Sequence, residues 1–229
     1  MPSNFRLFGA EHLAILAMVP IAAALLAAVQ RRFPSWSKAI RVSLAMLLLV
    51  CTAAYYGSFA VAGERLFPNH VPLELCDASL WLVIASLLTL KPGIYDVAYY
   101  WAIAGASMAL LTPNLTEPST FIAVQFFVDH GLIVAAVLYL ALTGEARPRV
   151  GSIGRAMVAL NLYAAAVGVF DFLFKTDYMF LRAKPQAASL LDVLGPWPWY
   201  IVVCEGVAFG LFLLLYLPFR RSLELPRSN

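Results

Sequence analysis

The sequence predicts an all-α membrane protein, a bundle of seven helices crossing the bilayer. Three observations predict it. Apolar residues fill 62% of the 229 positions and charged residues only 13%, where soluble domains run at about half and a quarter. Mean hydropathy is +0.80. Seven apolar runs, each near the ~20 residues a spanning helix needs, follow one another with turn-forming breaks between them.

The runs cover residues 10–30, 39–62, 71–90, 93–113, 119–143, 155–174 and 197–218, making the whole chain, 1–229, a single integral membrane domain. The first ends in Q-R-R-F with no small-residue cleavage site, so it reads as a retained span and not as a signal peptide. Its A-A-A-L-L-A-A stretch suits close helix packing through small residues. The second carries Tyr55 and Tyr56 near its far end, and F-P-N-H-V-P leads into the third, which opens on L-E-L-C-D. K-P-G leaves almost no loop between the third and fourth, which predicts a tight antiparallel hairpin. T-P-N-L-T-E-P-S follows the fourth, and Asn114-Leu-Thr116 within it matches a glycosylation sequon. G-E-A-R-P-R ends the fifth and K-T-D-Y-M-F-L-R-A-K-P-Q the sixth. The aromatics of P-W-P-W-Y (196–200) read as an interfacial belt.

An odd number of spans puts the termini on opposite sides. Arg31, Arg32, Lys38, Arg41, Lys91, Arg147, Arg149, Arg155, Arg220, Arg221 and Arg227 fall on one side, and Arg6, Arg65, Lys175, Arg182 and Lys184 on the other. Eleven against five places the N-terminus outside and the C-terminus in the cytoplasm by the positive-inside bias. The expected location is a cell membrane, a bacterial inner membrane. The three cysteines, Cys51, Cys76 and Cys204, are widely spaced with no C-x-x-C or His-Cys cluster, so neither a disulfide framework nor a metal site is indicated. No cofactor is implied, and the absence of a basic stripe with interleaved aromatics argues against nucleic acid.

Ionisable groups inside hydrocarbon are costly and mark candidate sites. In this orientation they converge on the outer half: Glu11 and His12 on the first span, Glu74, Cys76 and Asp77 on the third, Gln125, Asp129 and His130 on the fifth, Asp171 and Lys175 on the sixth, Glu205 on the seventh. Asp96 is the main exception. Several have structural explanations. Glu11 and Asp77 favour helix N-termini; Asp171 and Lys175 stand four apart and can pair; Gln125 and Asp129 share a face and can bond another helix. Cys51 and Cys204 look like small buried hydrophobes. Cys76 alone lies at a water-facing end among polar groups, and a histidine in a membrane helix is the usual general base. A cysteine attacking while His130 takes its proton fits the nucleophile-plus-base pattern. Core packing of His130 is the competing account.

Four motifs then carry a resemblance over nearly the whole chain: P-L-E-L-C-D (72–77), A-Y-Y-W-A-I-A-G-A-S-M-A-L-L-T-P (98–113), Q-F-F-V-D-H-G (125–131) and D-Y-M-F-L-R-A-K-P (177–185). In order and spacing they resemble the YwaF-like family of bacterial membrane proteins, related to animal transmembrane protein 164, a phospholipid acyltransferase. The resemblance implies an acyltransferase or acyl-ester hydrolase with Cys76 as nucleophile and His130 as base, acting on a membrane phospholipid or lysophospholipid. Glu74 stands where that family carries a histidine, P-L-H-L-C, and Asp177 where asparagine is its pattern. On this reading either Gln125 or Tyr178 stabilises the oxyanion, Arg182 and Lys184 hold a phosphate, and Asp129, about 100° around the helix from His130, does not orient its ring. The alternative is a binding or transport module that captures a polar ligand through Glu74, Asp77, Asp171 and Glu205.

Overall fold

Each apolar run folds as a helix bounded by the residues that break it, in a computed structural model that describes residues 6–113, 120–185 and 190–220. Arg221, Arg227 and the sequon at 114–116 lie outside the described residues. Helix α1 (Ala10–Arg32) has Glu11 in its first turn and Arg31 and Arg32 in its last, so the charges complement its macrodipole. Helix α2 (Ser37–Val61) follows a single turn of 3₁₀ helix at Pro34–Trp36. Helix α3 (Leu75–Thr89) ends at Leu90, which adopts a left-handed conformation with φ 52°. Pro92 at the first position starts α4 (Pro92–Leu111), where the missing N–H costs nothing. Helices α5 (Thr120–Thr143), α6 (Ser152–Phe174) and α7 (Trp199–Arg220) complete the bundle.

Six helices are long and apolar enough to cross a membrane. The run at 71–90 is the exception: it yields a helix of 15 residues. At 1.5 Å per residue that is about 22 Å, short of the ~30 Å hydrocarbon core. Capping by Glu74 and Asp77 starts the helix late and leaves Val71, Pro72 and Leu73 outside it.

Helix α4 is central, with half of its apolar window buried against 11% for α7. Its aromatic run fastens it to its neighbours through buried O–H and N–H groups. Tyr95 donates to Val137 O at 2.9 Å on α5, Tyr99 to Leu215 O at 3.1 Å on α7, and Trp101 Nε1 to Ala156 O at 3.2 Å on α6. Tyr100 Oη and Ser152 Oγ are 2.8 Å apart. Immediately beyond, Ala102–Ala106 widens into a π-turn, a distortion that recurs at functional sites. A Cβ on Gly105 within that turn would stand 3.3 Å from Leu75 Cδ2, so α3 begins in close contact with it. The small residues of α1 do pack closely: Ala23 and Ala27 are buried, and a Cβ on Gly131 of α5 would meet Val19 Cγ2 at 3.3 Å.

The two ends of the bundle differ. At the basic end Glu145 accepts from Gln30 Nε2 and Ser37 Oγ, each at 2.7 Å, and Tyr139 donates to Gln30 Oε1. Arg41 donates to Leu87 O at 2.6 Å, closing the last turn of α3. Asp96, fully buried, accepts from Arg149 Nη2 at 2.6 Å and Arg155 Nε at 3.0 Å. The acid is sealed, while the two arginine side chains are 51% and 42% exposed. Removing both arginines therefore strands a buried charge, whereas Asp96→Asn lets the guanidiniums turn to water. The double variant Arg149→Met/Arg155→Met is expected to lose about 3–5 kcal/mol, clearly more than Asp96→Asn, in detergent unfolding curves.

Candidate functional site

At the opposite end, two irregular segments, 62–74 and 175–185, lie against each other. Backbone outside a helix needs other partners for its N–H and C=O groups, and side chains supply them. Tyr178, buried, donates its O–H to Pro68 O at 2.8 Å and accepts the N–H of Val71 at 2.9 Å. Burial, above all, pushes its phenol up, so it remains a donor. Tyr163 of α6 donates to Leu73 O at 3.1 Å. Asp171, fully buried at the end of α6, accepts from Thr176 Oγ1 at 2.7 Å and from the Tyr178 N–H at 3.1 Å. Asp177 accepts the N–H groups of Arg182 and Ala183 at 2.8 and 3.1 Å.

Helix α3 starts from this framework. Glu74 is its N-cap, in a reciprocal capping box with Asp77, whose Oδ2 accepts the Glu74 N–H at 3.0 Å. Glu74 Oε2 also accepts the N–H of Met179 at 3.0 Å, which ties the start of α3 to the second segment. Cys76 is the second residue of the helix, half-buried, a free thiol whose sulfur accepts the backbone N–H of Asp77 and bonds to no other side chain among the described residues. Glu74, Asp77 and Asp129 lie within electrostatic range of it, as do the phenols of Tyr55, Tyr56 and Tyr163. Tyr56 Oη stands 3.5 Å from Asp77 Oδ1, a weak bond.

His130 is buried on α5. Its Nδ1 lies 2.8 Å from the carbonyl oxygen of Phe126, one turn back, and the Phe126 ring lies 4.2 Å from its own. A carbonyl only accepts, so Nδ1 carries the proton and Nε2 keeps its lone pair, the tautomer a general base needs. No hydrogen bond joins His130 to Cys76 among the described residues. Asp129 does not touch the imidazole; its Oδ1 is sealed from solvent without a partner, and its carboxylate faces Cys51, Asp77 and Cys76. Gln125, half-buried one turn earlier, makes no hydrogen bond among the described residues.

Several expectations change. No ion pair joins Asp171 to Lys175, because Lys175 turns left-handed at the end of α6 with φ 59° and Asp171 is engaged by Thr176 and Tyr178. The single O–H of Tyr178 is likewise engaged, which leaves Gln125 as the freer of the two oxyanion candidates. Arg182 donates to Thr176 O at 2.9 Å and to Asp171 O at 3.4 Å, closing α6, and Lys184 lies over the Tyr200 ring at 5.6 Å. Glu205 accepts from Asn161 Nδ2 at 3.0 Å along the seam of α6 and α7. His12 bridges Phe8 N–H, 3.0 Å from its Nδ1, to Leu110 O, 2.7 Å from its Nε2. Within P-W-P-W-Y, Trp197 and Trp199 are exposed, whereas Tyr200 is buried and donates to Phe180 O. Among the described residues no group of three or more His, Cys, Asp or Glu is placed to hold a metal ion. Sequence reasoning missed Tyr163, which has no polar neighbour to mark it. It also missed the Phe126 carbonyl, legible in principle from its four-residue spacing to His130.

Six helices long and apolar enough to cross a membrane define a multi-pass α-helical membrane protein. Within that class the chain belongs to the TMEM164 family, whose sequence model matches residues 7–216. It is similar to an uncharacterized protein of Treponema pallidum (strain Nichols), 28% identical over 222 residues, which cover 95% of this chain and 91% of that one. No solved structure matches.

Because Tyr178 serves both segments, Tyr178→Phe leaves the Val71 N–H and the Pro68 carbonyl without their partner. The expected cost is about 1–3 kcal/mol, seen as a lowered melting midpoint together with faster proteolysis within 62–74.

Proposed function

We propose that this protein is a membrane-embedded acyl-transfer enzyme acting on phospholipid acyl esters, with Cys76 as nucleophile and His130 as base. The observation that carries it is the free thiol in the first turn of α3, bonded to no other side chain and set in a polar end to which α5 also contributes, together with an imidazole whose Nδ1 proton is held by the Phe126 carbonyl. The motifs that place this cysteine and this histidine are those of the acyltransferase resemblance. Burial of His130 suits a base that must not be solvated away from its task.

The reaction runs in two halves. His130 Nε2 takes the Cys76 proton as Sγ forms a bond to the ester carbonyl carbon, and the carbonyl electron pair moves onto oxygen. Collapse of that oxyanion breaks the C–O bond, and the departing lysolipid oxygen takes the proton from the imidazolium. A lysolipid hydroxyl, or water, then attacks the thioester, its proton passing through His130 to the leaving sulfur. In the first half, proton removal by His130 and attack by Sγ are concerted.

The chain crosses the membrane seven times on this reading, with the N-terminus outside and the site opening toward the outer leaflet, following the eleven-to-five distribution of basic residues. Capture of a polar ligand by the acids is the weaker alternative. Glu74, Asp77, Asp171 and Glu205 are each bonded to the chain itself.

Purified protein incubated with a thiol-directed lipid probe is expected to carry a hydroxylamine-labile acyl group that Cys76→Ala abolishes. His130→Ala should slow its formation by about 10²–10⁴. Equal labelling of wild type and Cys76→Ala overturns the mechanism. A tag fused at residue 229 is expected to resist labelling from outside intact cells, and labelling there would invert the orientation.

A further inference from the structure

The proposed reaction puts a negative charge on the ester oxygen and needs a hydrogen-bond donor to meet it. Four tyrosines surround the start of α3, and three have their hydroxyls directed elsewhere. Tyr163 donates to Leu73 O at 3.1 Å, Tyr178 to Pro68 O at 2.8 Å, and Tyr56 points at Asp77 Oδ1 at 3.5 Å. The fourth, Tyr55 on α2, has a hydroxyl that makes no hydrogen bond among the described residues, although its carbonyl accepts from Ser58 Oγ at 2.6 Å. It is half-buried, and its ring is fixed edge-on between Tyr56, at 5.2 Å, and Phe59, at 5.0 Å. Helix α2 packs along α3, and the hydroxyl of Tyr56, whose ring touches that of Tyr55, stands 3.5 Å from Asp77 Oδ1, so the tyrosine pair meets the first turn of α3 from the α2 side.

We propose that Tyr55 is a catalytic residue of the acyl-transfer reaction, its O–H donating to the oxyanion formed when Cys76 attacks the ester. The inference rests on the acyl-transfer reading of the same site. Three features suit the part. A phenol is a neutral donor, so it adds no further negative charge to a site already holding Glu74, Asp77 and Asp129. The aromatic contacts orient it before substrate arrives, so little reorganisation accompanies charge development. A helix also leaves its first N–H groups unpaired, and the N–H of Cys76, at the second position of α3, supplies a companion donor on the nucleophile's own residue. Gln125 is the competing donor, on α5.

The test uses the full-length protein in lipid nanodiscs and two reactions at one sulfur. Acylation is followed with a phosphatidylcholine bearing an alkyne-terminated acyl chain, read as hydroxylamine-labile alkyne on the Cys76 peptide. Alkylation is followed with iodoacetamide, which forms no oxyanion, read by mass spectrometry of the same peptide. Tyr55→Phe is expected to slow acylation by about 10²–10³ and leave alkylation unchanged, while Tyr56→Phe changes neither by comparable factors. Acylation of Tyr55→Phe at the wild-type rate overturns the assignment. So does a parallel fall in both reactions, which marks a merely structural role, or a loss confined to Gln125→Ala. A wild-type protein that takes no labile acyl group from the probe overturns the acyl-transfer reading itself, and Tyr55's role with it; the first three outcomes leave that reading standing.

Discussion

The position of Cys76 depends on how two irregular segments satisfy each other. In a low-dielectric slab a chain that leaves the helix must find partners for every backbone polar group within the protein. Segments 62–74 and 175–185 do so through side chains: Tyr178 holds Pro68 and Val71, Tyr163 holds Leu73, Glu74 holds Met179, and Asp171 holds the turn that carries Tyr178. Glu74 then serves a second purpose as the N-cap of α3. The start of that helix is therefore set by contacts to the chain between α6 and α7, far away in sequence. A fixed position for Cys76 follows from backbone satisfaction, before any chemistry is considered.

The same logic assigns the acids. A carboxylate in such a place is costly unless several donors converge on it, and Asp171 collects an O–H and an N–H while Glu74 and Asp77 exchange backbone bonds. These are structural acids that lie near a thiol. On the proposed reaction the proton acceptor is then the neighbouring imidazole with its available lone pair, and not one of these engaged acids. The Phe126 carbonyl supplies the orienting partner that a third side chain provides in other nucleophilic sites, and it is one helical turn away from His130.

What was legible in the sequence follows from the range of each interaction. Glu11, Asp77, Pro92 and the arginines at the end of α1 act within one turn of their own helix, and their roles were readable from spacing alone. Cys76 and His130 were readable as the thiol and imidazole that apolar packing explains least. The Asp171–Lys175 spacing was misleading because the helix ends at Lys175, and a residue at positive φ no longer projects along the helix face. The truncation of α3 was hidden because Val71, Pro72 and Leu73 are as apolar as the helix that follows. Tyr163 and Tyr55 were illegible as site residues because their relation to Cys76 exists only after α2, α3 and α6 have assembled. Hydropathy counts a buried tyrosine and a lipid-facing one alike.

The bundle separates fixed polar groups from unengaged ones along its axis. At the basic end Glu145, Gln30, Arg41, Asp96 and Arg149 bond to one another and to backbone, binding α1, α2, α3 and α5 in one network and α4 to the start of α6 in another. At the other end the framework is equally bonded, yet it encloses groups that no side chain among the described residues engages: the Cys76 thiol, the Tyr55 hydroxyl and one oxygen of Asp129. A fold that only needed to pack would gain by replacing such groups with apolar ones of the same shape, since an unpartnered polar group in a bundle core costs free energy without compensation. Their grouping at one end, on three different helices held by a rigid frame, is what a site awaiting an external partner looks like. On the proposed function that partner brings an acceptor for the phenol and an electrophile for the thiol, and an ester carbonyl presents both on adjacent atoms.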